Sequence, residues 1–279
     1  MSRAGLVRLR AFAGVLILVA MATPPHFADG FDDITTHVQL TAVSTLRSSV
    51  DRVLKTELGL RAGSAADLRS GGGRSQTVAE WLQIGSRLED EPPCRAGNHF
   101  HNPLRPFTTS QVSDRPDFIN FWCGFTEFTP IRSNVMWSTR FVSPTEQGPA
   151  IGNPFDWVAA HQAYLDALTA SLSGAREAAL ARTFETLGHV MHLVQDLAVP
   201  AHVRNDFASH LEYCVPRLAS FSRWCENGFE RFVKLRPDLV DNAASRSVEF
   251  AGQPVTRFWD LDRYTGFNPS SDTAQGLAE

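Results

Sequence analysis

One short stretch of this chain limits how the rest can fold: it holds His192, Asp196, Pro200 and His202. His192 and Asp196 end a segment whose apolar residues Leu180, Phe184, Leu187, Met191 and Val194 recur at helical spacing. Residues four apart project from one face of a helix, and this pair lies away from the centre of the apolar stripe. Pro200 ends the helix and lets His202 turn back towards the pair. Imidazole and carboxylate are both metal ligands, and a helix presents two of them four apart without further ordering. A capped helix end with incidental histidines is the plainer use of such a pair. Taken alone, the pair does not decide between the two.

The rest of the sequence predicts an all-α, mostly helical domain with long irregular loops. A helix is expected over Thr35–Leu60, carrying Val38, Leu40, Val43, Leu46, Val50, Val53 and Leu54. Ala62–Gln76 is rich in Gly, Ser and Ala and reads as a loop around Gly71-Gly72-Gly73. Thr77–Leu88 is a short amphipathic helix. Asn153-Pro154 opens another, with Trp157, Ala160, Tyr164, Leu168 and Leu172 as its stripe and Gly174 as its stop. A last helix is expected over Ser222–Leu235, carrying Phe229, Phe232 and Val233. Between Glu91 and Ile151 lie many prolines and the aromatics Phe118, Phe121, Trp122, Phe125, Phe128, Trp137 and Phe141. These either wall an apolar pocket or form ordinary core, which is the commoner use.

The N-terminus reads as a secretory signal. Arg3, Arg8 and Arg10 precede a short apolar run, Ala11–Val19, and Ala20-Met21-Ala22 offers a small-residue cleavage site. The run is shorter than the ~20 residues of a membrane span. Residues 1–22 are therefore assigned to a signal peptide and 23–279 to one domain, left open to continuation past Glu279. Loss of three arginines takes the formal charge from -4 to -7. Secretion or export to a periplasm puts the four cysteines in an oxidising compartment. Three pairings are open, and pairing in sequence order, Cys94–Cys123 and Cys214–Cys225, is preferred.

Further ligand-type residues accompany the central motif. His99 and His101 share one side of the segment Asn98–Pro103 if it is extended. Upstream stand Glu89, Asp90 and Glu91, either a solvated acidic turn or a source of a ligand or general base. Glu226 and Glu230 form another pair four apart, and His37 begins the first helix. His189 reads as supporting or structural, His101 as a weak supporting residue, and His161 as a surface or core-edge residue.

In this order the motifs resemble the zinc-dependent phospholipase C family, which shares its fold with single-strand-specific nucleases. The family pattern has an early His, an Asp before a His-Phe-x-x-Pro element, a His-x-x-x-Asp-x-x-x-Pro-x-His core, and a His-x-x-x-Glu pair before an aromatic and a Val. Here these are His37, Asp90 with His99-Phe100-His101-Asn102-Pro103, the core from His192 to His202, and Glu226 to Val233. The resemblance implies two or three zinc ions. One would be held by Asp90, His99, His192 and Asp196, a second by His202, Glu226 and Glu230, and a third by His37 with Asp196 as a bridge. Asp90 would also act as general base. Glu226 stands where the family has a His, with His210 or a water as possible substitutes. Neither candidate cleavage site, after Ala22 or after Gly30, exposes the family's N-terminal tryptophan.

Such a ligand set suits phosphodiester hydrolysis by metal-activated water. No phosphate-cradling loop competes with it, because the glycine run lacks the Lys-Ser/Thr that follows in such loops. The expected activity is that of a phospholipase C acting on phospholipid at a membrane surface, with no protein partner implied. A nuclease or nucleotidase on the same fold is the alternative, less favoured because a charge of -7 gives no footprint for nucleic acid. A zinc-binding domain without turnover is the third.

Overall fold

The computed structural model describes residues 35–105, 109–113, 131–139, 153–207, 213–216, 223–226 and 228–243. The segment expected to be a signal peptide, Cys123, His210 and all the aromatics singled out in the proline-rich segment except Trp137 lie outside them. Among the described residues the chain is mostly helical, as expected. No described helix is long and apolar enough to cross a membrane.

The helices are α1 (Thr36–Arg47), α2 (Val50–Thr56), α3 (Val78–Leu88), α4 (Asn134–Thr139), α5 (Trp157–Thr169), α6 (Ser173–Asp196), α7 (Pro200–Arg204) and α8 (Gly228–Lys234). Two antiparallel ribbons accompany them: β1 (Asp67–Arg69) with β2 (Ser75–Thr77), and β3 (Tyr213–Pro216) with β4 (Arg223–Glu226). Short 3-10 helices span Gly63–Ala65, a single turn, and Pro93–Asn98, two turns.

The spine is α6, about 36 Å long at 1.5 Å per residue. Helices α3 and α5 pack along it, and α1 lies against α3 and α6. The N-terminal half of α6 contributes Leu180, Ala181 and Phe184 to a core completed by Leu54, Leu68, Val78, Trp81, Leu82 and Ala167. Its C-terminal end is polar yet buried, at His189, His192 and Asp196. Helix α3 starts at a capping box, with the Glu80 N–H donating to Thr77 Oγ1 and the Thr77 N–H to Glu80 Oε2. Trp81 Nε1 donates to the Leu68 carbonyl and ties the first ribbon to α3.

Several elements differ from expectation. The first helix is broken at Ser48-Ser49, where the Ser48 hydroxyl accepts the Val50 N–H; serine offers the backbone an alternative to helix there. Its buried face is the polar one, Thr36, His37, Thr41 and Thr45, while Leu46 is exposed. The expected loop after Ala62 contains the first ribbon, turned by Gly73 at φ +86°. In α5 the buried stripe is Ala160, Ala163 and Ala167, and Trp157 and Leu168 face outward; Leu172, also exposed, lies beyond α5 as the N-cap of α6. Asp156 caps that helix, and Gly174 lies in the first turn of α6 rather than ending α5. Val194 is exposed, and α6 ends at Asp196 with Pro200 opening α7. The helix expected from Ser222 is strand β4 followed by α8, so Glu226 and Glu230 do not share a helix.

Cys94 is disulfide-bonded and no described cysteine is free. In the second ribbon Cys214 stands directly opposite Cys225.

The crossing of α3 and α6 depends on two glycines. A Cβ at Gly85 would fall on the Glu185 carbonyl, and one at Gly188 on the Leu82 carbonyl, both rigid backbone. Gly188→Ala is expected to cost about 1–3 kcal/mol by overpacking. Urea unfolding of the variant measures this, and an unchanged midpoint would mean the two helices lie farther apart.

Candidate metal centre

The centre forms where α6 ends. His192 and Asp196 project one turn apart from the last part of that helix, as their spacing requires. Val199 then buries itself between Ala201, Leu40 and Val233, which anchors the connection. Proline at the start of α7 suits a first turn that has no partner for an N–H, and His202 follows two residues later. Asp90 comes from just beyond α3. His99 comes from the end of the 3-10 helix with helical backbone, so the condition under which His99 and His101 would share one side of a strand Asn98–Pro103 is not met at its start.

These groups converge. His99 Nδ1 lies 3.2 Å from Asp90 Oδ1 and 2.8 Å from Asp196 Oδ2. His192 Nε2 lies 3.2 Å from Asp90 Oδ2 and 3.3 Å from Asp196 Oδ2. All four residues are at most 1% exposed. Yet both oxygens of Asp90 and Asp196, both nitrogens of His99 and Nε2 of His192 lack an aligned hydrogen bond. Buried polar atoms are ordinarily paired. Donors about 2.0–2.2 Å from one tetrahedral ion stand roughly 3.3–3.6 Å apart. Close, mutually misaligned donors aimed at one point are what a cation requires. These buried His and Asp groups could hold a metal ion.

The centre extends beyond these four residues. His37 Nε2 is 3.5 Å from Asp196 Oδ1, and its ring stacks on that of His192 at 3.7 Å. His37, His192 and Asp196 form a second compact ligand group. His202 Nδ1 is 3.6 Å from the same oxygen, Asp196 Oδ1, and its Nε2 is 3.6 Å from Glu230 Oε1. The structure thus brings together His37, Asp90, His99, His192, Asp196, His202 and Glu230. Glu226 ends β4 opposite Tyr213, and its side chain lies outside the described part.

Hydrogen bonds behind the centre orient the rings. His192 Nδ1 donates to the Ser86 carbonyl at 2.6 Å, in the last turn of α3, leaving Nε2 for the centre. His37 Nδ1 donates to Gln195 Oε1 at 2.6 Å. Gln195 Nε2 donates in turn to Thr41 Oγ1, whose hydroxyl donates to Ser86 Oγ. Asn134, 1% exposed, donates from Nδ2 to the carbonyls of His99 and Leu193 and so fixes two ligand segments together. Spacing gave no signal for Gln195, Thr41, Ser86 or Asn134, because their partners lie far away in sequence. His189 is supporting, as expected: its Nδ1 donates to Glu89 Oε2 at 2.6 Å. His161 is a surface residue against Trp157. His101 is buried, and its backbone N–H donates to the His202 carbonyl.

Without an ion, charge in the centre is balanced by protons. Burial pushes Asp90 above the ordinary carboxylate range. Burial acts the same way on Asp196, but His192, His202 and His99 outweigh it and hold Asp196 well below that range. Burial depresses His192, but Asp90 and Asp196 outweigh it and raise it to about 9. The same two carboxylates raise His99 well above its ordinary value against burial. His37 falls to about 3 through burial and the neighbouring His192. A divalent cation would supply the positive charge that protons otherwise provide.

Comparison with family models, characterised proteins and solved structures gave no match. The case for a metal centre therefore rests on geometry and donor chemistry. A cleft of about 300 Å³ between α5 and α6, lined by Val158, Gln162, Ala163 and Arg182, includes none of the centre's residues.

Elemental analysis of the purified chain is expected to find divalent metal. His192→Ala should lose metal and lower the melting temperature together, because binding and folding are linked. A metal-free wild type indifferent to chelator would remove the basis for the centre.

Proposed function

We propose that the chain is a zinc-dependent phosphodiester hydrolase, most simply a phospholipase C acting on phospholipid at a membrane surface after export. The observation that carries this is the ring of donors from Asp90, His99, His192 and Asp196, separated by 2.8–3.3 Å in a fully buried site. Mixed imidazole and carboxylate donors suit zinc. His37 with Asp196, and His202 with Glu230, would hold further ions, so that Asp196 bridges, as the resemblance to the phospholipase C family implies. Zinc, when bound, would polarise a phosphoryl oxygen and make water a usable nucleophile at neutral pH.

The protein's own part is positioning and proton transfer. Ser86 and Gln195 keep the lone pairs of His192 and His37 turned towards the centre. Asp90 faces His99 with one oxygen and His192 with the other. One of its oxygens suffices to hold an ion, and the other would take the proton of the attacking water. Glu91, its neighbour, is exposed and paired with Arg87, so it is not placed for that role.

Asp90→Asn keeps the shape of the side chain and one ligand oxygen but cannot accept the proton. Turnover on a phosphodiester should fall ~10²–10⁴-fold, with most zinc retained because the other three ligands are untouched. Glu91→Gln should change neither quantity. Near-normal turnover in Asp90→Asn would overturn the assignment of the base. Lecithin micelles turned over in preference to single-stranded DNA would support the lipid substrate, and the reverse preference would identify a nuclease. A zinc-loaded wild type inert on both would identify a binding domain.

A further inference from the structure

We propose that Glu89 is a positioning residue for the metal centre: its carboxylate holds His99 so that Nδ1, rather than Nε2, is offered to the ion. This inference rests on the metal reading given above. A neutral imidazole carries one N–H and one lone pair, so a ligand histidine must be told which nitrogen keeps the proton, and the group behind the ring does so. His37 and His192 place Nδ1–H against Gln195 and the Ser86 carbonyl and present Nε2. His99 is turned the other way. Its Nδ1 faces Asp90 and Asp196, and its Nε2 faces Glu89 Oε1 at 3.6 Å, a charge contact longer than a hydrogen bond.

Glu89 is built to stay behind the ring. It is fully buried, and Oε2 accepts from Arg95 Nη2 and His189 Nδ1, each at 2.6 Å. Trp137 Nε1 donates to Oε1 at 2.9 Å. Arg95 also donates from Nε to the Glu89 carbonyl, and its guanidinium lies over the rings of Trp137 and Phe155. The His189 ring stacks on Phe155 at 4.0 Å. Three elements thus clamp one carboxylate, and Arg95 compensates its charge. Glu89 cannot swing round to become a ligand itself. Successive residues at a helix end point about 100° apart, so Asp90 reaches the ion side of His99 while Glu89 reaches the back. The two adjacent acids have separate tasks.

The test is zinc affinity of the full chain, measured by chelator competition, with nitrogen-15 NMR of histidine-labelled, zinc-loaded protein. Glu89→Gln should lower affinity ~10–100-fold, the usual effect of losing a ligand's supporting partner. Trp137→Phe, which removes one hydrogen bond to Glu89 but keeps the carboxylate, should stay close to wild type. The wild-type spectrum should contain a zinc-bound histidine protonated at Nε2, alongside others protonated at Nδ1. Equal affinity in Glu89→Gln, or an equal loss in Trp137→Phe, would overturn the role of Glu89. A wild-type spectrum in which every zinc-bound histidine is protonated at Nδ1 would overturn it without any variant, even if Glu89→Gln failed to fold. A wild type that takes up no zinc would instead overturn the metal reading.

Discussion

Asp196 is fully buried, and its two oxygens lie between 2.8 and 3.6 Å from the imidazoles of His37, His99, His192 and His202. A carboxylate withdrawn from water is costly unless compensating charge surrounds it. His99, His192 and His202 supply that charge, His37 adds a neutral ring against the same oxygen, and each segment is fixed in place by doing so. The first helix, the turn after Asp90, the end of α6 and the short α7 all take their positions relative to this one side chain.

The same demand divides α6 into two regimes. Its first half is apolar on the inner face and joins a core of leucines and aromatics. The inner face of its second half is polar, and there the stabilising contacts are hydrogen bonds: His192 donates to the Ser86 carbonyl, Thr41 to Ser86 Oγ, Gln195 to Thr41 and Asn134 to the Leu193 carbonyl. Asn134 also relieves a local problem, because the Leu193 carbonyl lies in the last turn of α6, where helical partners run out. The helix end is thus satisfied by a residue that also fixes the His99 loop.

What the sequence revealed followed from spacing. His192 and Asp196 were legible because about four residues make one helical turn, and α3 because its apolar residues recur at helical spacing. The faces of α1 and α5 were not. In both, the residues that point inward are small or polar, Thr41 and Thr45 in one and Ala160, Ala163 and Ala167 in the other, while leucines point out. A rule that sends large apolar residues inward fails where the neighbouring helix must come close or where the interior is a polar network. Glu89 was visible only as one acid among three, since its partners His189 and Trp137 are far along the chain. The strand before α8 was hidden because the Glu226 and Glu230 spacing fits a helix, while pairing with β3 depends on a distant segment.

The close approaches of Gly85 to Glu185 and of Gly188 to Leu82 also set a mechanical condition. These glycines lie beside Ser86 and His189, so the closest approach of α3 and α6 sits next to the hydrogen bonds that orient the centre. Sliding α3 along α6 would drive a side chain into backbone before it moved Ser86 away from His192. The register of the two helices is therefore fixed by the glycines, since a shift of one turn would put Trp81, Leu82, Leu88 or Glu89 where Gly85 now meets backbone. Small strains elsewhere in the molecule cannot be relieved by shear at this crossing, and the geometry of the ligands is insulated from them.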